Sequence, residues 1–480
     1  MSRLLRRKSM VLNEADHPDH PRLARTFSWP HLVALGVGAI VGTGILTLIG
    51  VGAERAGPAV LISFVVAGAI CACAALCYAE MATMIPIAGS AYTYSYAVLG
   101  EIFAWVVGWS LILEYSLVVS TVAVGWSGYA VGFLKGLDIA LPDWLTHGPG
   151  VAGNLFDGTF QLTAAGINLP AIFIIFAVAG LLMLGTRESA TVNSILVLLK
   201  IATLAVFVAV ALPHFNPDNL HPFAPYGYGA QLGEGGVKFG VMGAAAIIFF
   251  AFYGFDAIST AAEEAKNPER DLAIGIVGSM VACTAIYMIV AAAAVGALHF
   301  AAFGKSAEPL ALILRSIGQE KVATLVAASA AIALPTVILA FFYGQSRIFL
   351  VMSRDGFLPP ALARISRRGT PVRITAMTAI FVAFIAGIMP LDLIASLANA
   401  GTLCAFIAVA LCTLVMRRRA PDQKRGFRTP AVWLVAPVAI LGCLYLFTSL
   451  QAITQHSFIV WNALGLVVYF LYGIGRSRAS

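Results

Sequence analysis

The chain has 480 residues, of which 60% are hydrophobic and 11% charged, with a mean hydropathy of +0.89 and a formal net charge of +7. An average soluble domain carries about 25% charged residues, so this composition excludes a soluble globule and specifies an integral membrane protein. The positive charge does not mark a nucleic-acid binder, because Lys and Arg collect in short loops between apolar runs, as membrane topology requires.

Runs of about twenty apolar residues, long enough to cross a bilayer as helices, are predicted at about 30–56, 59–83, 92–130, 170–185, 191–212, 237–260, 273–298, 321–350, 372–389, 393–416, 431–450 and 458–474. The expected fold is therefore all-α with twelve transmembrane helices, and no pattern of short alternating strands argues for a barrel. Residues 1–28 form a basic, polar tail with no apolar core or cleavage site, so they read as a cytoplasmic tail, not a signal peptide. Residues 29–416 read as a core of ten spans, and 417–480 as a basic loop with two further spans and a short end. With the N-terminus inside, 23 Lys and Arg lie on the inner side and 6 on the outer, leaving Lys200 within a span. That asymmetry places both termini in the cytoplasm and the chain in the inner (plasma) membrane.

All seven cysteines fall inside apolar spans, where Cys acts as a small hydrophobe, so no disulfide framework is expected. The eight histidines are scattered without ligand spacing, and no metal site is expected. There is no GxxxxGK[ST] loop, and GVGAIVG lacks the strand and helix of a dinucleotide site, so no cofactor is expected. No nucleophile stands beside a base, which leaves little support for an enzyme.

The first span carries glycines at 36, 38, 42 and 44 within GVGAIVGTGIL. Glycine costs about 1 kcal/mol against alanine inside a helix, and an unwound turn survives at membrane depth only where it lines a cavity. The run therefore predicts a broken helix at a ligand site, with Ile40, Gly42, Thr43 and Gly44 offering free amides and carbonyls. Close helix packing through small residues is the alternative purpose of these glycines. A second break is expected at FFAFYGFD, where Phe250, Ala251, Tyr253 and Gly254 turn backbone groups or an aromatic ring toward the same ligand. Paired breaks in two halves point to a midplane site between inverted repeats. Free amides suit an anion and free carbonyls a cation, so a zwitterion fits.

Lys200 lies about ten residues into its span, where a charge costs about 2.5–3.5 kcal/mol on insertion scales. With Asn193 and Thr203 it forms a polar stripe, and it reads either as a proton carrier or as a fixed pin on broken-helix carbonyls. Glu114 is a second mid-span charge, which either relays protons, balances Lys200 or makes a structural salt bridge. Asp256 either touches substrate or proton or holds the inner half of the sixth span together. Glu80, Glu263, Glu264 and Arg270 read as ion pairs near the inner boundary.

The segments GAIVGTGIL, CYAEMATMIPIAGSAYTYSYAVLGE, FFAFYGFDAISTAAEEAKNPERDLAIGI, FLVMSRDGFLPP, RRGTPV and RRRAPDQKRGFRTP occur in this order. Together they resemble the amino acid, polyamine and organocation (APC) permeases, most closely their bacterial cationic amino acid transporter branch; Ala273 departs from the usual proline. The resemblance implies a five-plus-five inverted-repeat fold of the LeuT type, with helices 1 and 6 broken. It assigns substrate binding to Ile40, Thr43, Gly44, Phe250, Ala251 and Tyr253, and places Lys200 where sodium-coupled relatives bind their ion. The expectation is a secondary transporter importing L-amino acids by alternating access and proton symport. An uncoupled exchanger and a nutrient sensor with a transporter fold are the alternatives, while substrate class and oligomeric state stay open.

Overall fold

The computed structural model describes residues 5–8, 27–86, 89–149, 151–152, 161–162, 165–184, 190–233, 236–260, 262, 265–363 and 371–476. Among them nine helices are long and apolar enough to cross a membrane, and three shorter apolar ones join them. Each of the twelve expected spans coincides with one or more of these helices.

We number the spanning segments in chain order. α1 comprises α1a (Trp29–Ile40) and α1b (Thr43–Leu46, continued by Leu48–Ala56). α2 is Val60–Met84, α3 Glu101–Lys135, α4 Leu169–Leu184 and α5 Ala190–Ala211. α6 comprises α6a (Val241–Ile248) and α6b (Asp256–Thr260), and α7 is Pro268–Ala297. α8 is Glu320–Ala333 continued by Pro335–Arg354, α9 is Val372–Ile388, α10 Leu391–Arg419, α11 Val432–Ser449 and α12 Ala452–Val468.

The start of the third span differs from expectation. Ser90–Val98 forms a separate helix, and α3 begins only after Gly100, whose φ of 115° turns the chain. The fold is also not purely helical, because Val151–Ala152 pairs with Gln161–Leu162 and Gln231–Leu232 with Lys238–Phe239 in the two longest loops.

Broken α1 and α6 lie in the interior. In the best apolar window of each span, 89% of the α6 region is buried, against 33% in α11 and 22% in α12. α3 and α10 are also mostly buried and pack along each other, whereas the apolar faces of α4, α5, α11 and α12 are left for lipid. α12 is fastened to α3 by two indoles, Trp109 Nε1 donating to the Trp461 carbonyl and Trp461 Nε1 to the Trp109 carbonyl.

Polar links tie the two ends of the bundle. On the side where residues 5–8 lie, here the N-terminal face, Lys8 pairs with Asp355 at 2.6 Å. Glu80 of α2 is fully buried there and accepts from Arg417 at 2.8 Å, Arg425 at 3.0 Å and the Thr429 amide at 2.8 Å. On the opposite face Arg55 at the end of α1b pairs with Asp392 at the start of α10 at 3.1 Å. Removing one member of a buried ion pair leaves uncompensated charge and costs about 3–5 kcal/mol. Glu80→Gln is therefore expected to lower the melting temperature of the purified protein by several degrees, whereas Glu54→Gln, on an exposed and distant pair, is expected to leave it unchanged; differential scanning fluorimetry reads both.

Candidate functional site

α1a starts at Trp29 with proline at its first turn and ends at Ile40, where the chain turns through Val41 and Gly42 before α1b begins. The last carbonyls of α1a thus lose their helical donors, and the first amides of α1b, at Thr43 and Gly44, lose their helical acceptors. Two of these carbonyls have side-chain donors: Lys200 Nζ of α5 reaches Gly38 O at 2.7 Å, and the Tyr287 hydroxyl of α7 reaches Ile40 O at 2.7 Å.

α6a ends at Ile248, a single tight turn covers Phe249–Ala251, and irregular chain continues to α6b. Asn399 of α10 donates its amide to Ala246 O at 2.8 Å and Ile247 O at 3.2 Å, satisfying carbonyls next to the break. Asp256 opens α6b and folds back on the break. Its Oδ1 accepts the Gly254 amide at 3.1 Å, and its Oδ2 accepts the Tyr115 hydroxyl of α3 at 2.9 Å.

The two breaks touch. A Cβ built on Gly44 would lie 2.3 Å from Ala251 Cα, and one on Gly254 would lie 3.0 Å from the Ala39 carbonyl carbon, with Gly254 at φ 116°. Backbone meets backbone at both points, so only glycine allows the approach.

Between the breaks lies a narrow cavity lined by Ala39, Ile40, Gly42, Thr43, Gly44, Phe250 and Tyr253 from α1 and α6. Val118 and Val122 of α3 and Val337 and Phe341 of α8 close it on the other side. Six of the eight binding residues expected from sequence thus surround one space. The other two lie behind it: Ala251 carries the contact with Gly44, and Gly254 the contact with Ala39. The Thr43 and Tyr253 hydroxyls are buried without hydrogen-bond partners among the described residues.

Lys200 is 3% exposed and lies behind α1a, not in the cavity wall. The Thr203 hydroxyl donates back to Leu199 O within its own helix, and the Asn193 side chain lies outside the described residues, as do Glu263 and Glu264. Glu114 does not pair with Lys200. It is 1% exposed, both its oxygens lack hydrogen-bond partners among the described residues, and it lies against Gly401 of α10.

Sequence reasoning missed the cavity wall from α3 and α8, because valine and phenylalanine in an apolar span are indistinguishable from lipid-facing residues. It also missed Asn399 and Tyr287. A lone asparagine at mid-span is the kind of polar residue that marks function or packing in membranes, and that signal was present.

The sequence pattern of the family described as amino acid permease matches residues 27–474. The branched-chain amino acid permease BcaP of Bacillus subtilis (strain 168) is 46% identical over 448 residues, which cover 93% of this chain and 92% of that protein. The methylthioribose transporter of the same organism is 40% identical over 474 residues, 98% of each chain. Cationic amino acid transporter 2, vacuolar, of Arabidopsis thaliana is 35% identical over 428 residues, 88% of this chain and 64% of that protein. Two broken helices enclosing one cavity and a family match over nearly the whole length lead to the same place: the chain belongs to the amino acid permeases of the APC superfamily, a multi-pass membrane transporter and not an enzyme.

Proposed function

We propose that this permease imports a neutral, apolar L-amino acid by alternating access, coupled to protons through Lys200. The observation that carries the substrate class is the cavity wall. Ile40, Val118, Val122, Val337, Phe250 and Phe341 offer apolar surface, and no charged side chain lines the space. A cationic side chain would need a carboxylate there, and Asp256 is already engaged by Tyr115 and the Gly254 amide. The free amides of α1b suit the substrate carboxylate, and free carbonyls of the breaks suit its amine. The name of the 46%-identical branched-chain permease agrees with this class.

For the coupling, the support is the position of Lys200. A buried lysine readily changes its protonation state, and here it holds a terminal carbonyl of α1a, so loss of its proton alters the grip on the half-helix that frames the site. The asymmetry of Lys and Arg between the loops supports cytoplasmic termini and a plasma-membrane location.

A ligand that binds only the folded protein raises its apparent stability. Leucine, isoleucine and valine are expected to raise the melting temperature of the purified protein, while lysine and arginine leave it unchanged. Methylthioribose belongs in the same panel. Stabilisation by cationic amino acids alone would overturn the substrate class.

A further inference from the structure

α10 carries a polar stripe that serves neither the cavity nor the ion pairs of the N-terminal face. Asp392, Ser396, Asn399 and Thr402 follow at intervals of four, three and three residues, which keeps them on one face of the helix. At the opposite face Asp392, its side chain 31% exposed, pairs with Arg55 and accepts from Gln451. Ten residues further, about 15 Å along the axis, Thr402 stands beside the Glu114 side chain of α3, next to Gly401, where a Cβ would lie 3.0 Å from Glu114 Cβ. Ser396 and Asn399 between these ends are 1% and 0% exposed.

Asp392, the Asn399 amide and Thr402 on this line have partners, Thr402 Oγ1 donating to Ala398 O, but other polar atoms along it do not. Ser396 Oγ, Asn399 Oδ1 and both oxygens of Glu114 have no hydrogen-bond partner among the described residues. An unmet buried polar group costs about 1–3 kcal/mol, and most buried polar atoms in folded proteins are bonded. Several such atoms on adjoining faces of α10 and α3 call for a shared purpose.

We propose that the Asp392–Ser396–Asn399–Thr402 face of α10 is the route by which protons pass between the opposite face and Glu114. Water drawn from the bulk bonds to Asn399 Oδ1 and Ser396 Oγ. A proton entering beside Asp392 is handed from water to water, the serine hydroxyl accepting one and releasing another. Each hop breaks one O–H bond and forms the next; at the far end the last hydronium loses an O–H bond and returns to neutral water as an O–H bond forms on the Glu114 carboxylate. The titratable groups that interact with Glu114 are Asp256 of α6b, Tyr78 of α2, Tyr115 of α3, Tyr253 of the α6 break and Cys404 of α10; Arg55 faces the entrance. This inference rests on the proton-coupled reading given above and adds Glu114 to it as a second protonation site, distinct from Lys200.

Valine and threonine are nearly the same shape and differ by the hydroxyl, so Ser396→Val against Ser396→Thr isolates the relay. The full chain, reconstituted in liposomes, is assayed for leucine uptake driven by an imposed pH gradient and for leucine counterflow at equal pH. Ser396→Val is expected to cut gradient-driven uptake by about tenfold, the effect of one lost hydrogen bond on a barrier, and to leave counterflow at the wild-type rate. Ser396→Thr is expected to restore gradient-driven uptake. Thr402→Val, at the Glu114 end, provides a second block with the same expected pattern should Ser396→Val fail to fold. Wild-type gradient response in both valine variants, or equal loss of uptake and counterflow, overturns the route. A wild type that catalyses counterflow but ignores the gradient overturns the proton-coupled reading and the route with it; a wild type inactive with leucine but driven by another ligand overturns the substrate class alone, and the variants are then read with that ligand.

Discussion

Gly44→Ala is expected to abolish transport. The added methyl carbon would sit 2.3 Å from Ala251 Cα and 2.6 Å from Ala251 Cβ, well inside any real contact distance. The obstruction is backbone, which cannot rotate away as the end of a side chain would. α1b and the α6 break must therefore separate, displacing Thr43 and Phe250 from opposite edges of the cavity together. Overpacking a tight core costs about 1–3 kcal/mol, so the variant is expected to insert and purify with a lowered melt while labelled leucine uptake falls to background. Gly180→Ala is the control. It lies on α4 with nothing within 4 Å of the added carbon, and alanine is the better helix former by about 1 kcal/mol. Uptake at the wild-type rate by Gly44→Ala would show that the two breaks need not touch for transport.

Lys200→Met is expected to separate accumulation from exchange. Methionine keeps the length and apolar stem of lysine and removes the charge and the donor to Gly38 O. The lost bond leaves one buried carbonyl unmet, about 1–3 kcal/mol, so a modest drop in melting temperature accompanies the change. Entry of one proton with each substrate gains about 2.3 kcal/mol per 100 mV, which corresponds to roughly fifty-fold accumulation. Without the ammonium that gain disappears, and uptake is expected to stop at equilibrium whatever the imposed pH gradient or potential. Counterflow, which needs no net driving force, is expected to persist. Lys200→Arg retains a permanent charge and is expected to lose the pH response as well. Gradient-driven accumulation by Lys200→Met would place the coupling group elsewhere.

Much of the fold was legible because hydrocarbon is a demanding solvent. It fixes the length of each span, and it makes glycine clusters such as 36, 38, 42 and 44 conspicuous. The breaks fall where those glycines and FFAFYGFD suggested, and Lys200 meets a carbonyl of the first break, which its depth in an apolar run made a natural partner. Long-range partners were not legible. Nothing local to Glu80 says that its carboxylate is held by Arg417 and Arg425, more than three hundred residues away. The two alternatives for Glu114 that required a partner both depended on Lys200, and the fold puts α10 beside it instead. Val118, Val122, Val337 and Phe341 gave no signal, since their role depends on which face of α3 and α8 turns inward, and both helices have apolar residues all round.

α10 is bound by polar links to α1 through Asp392, to α6 through Asn399 and to α2 through Arg417. Against α3 it presents Gly401, pressed on the Ser110 carbonyl without a side chain to interlock. Three polar anchors on one flank tie α10 to α1, α2 and α6 as one frame, and the bare Gly401 on the other flank lets that frame lie backbone-close against α3 beside Glu114.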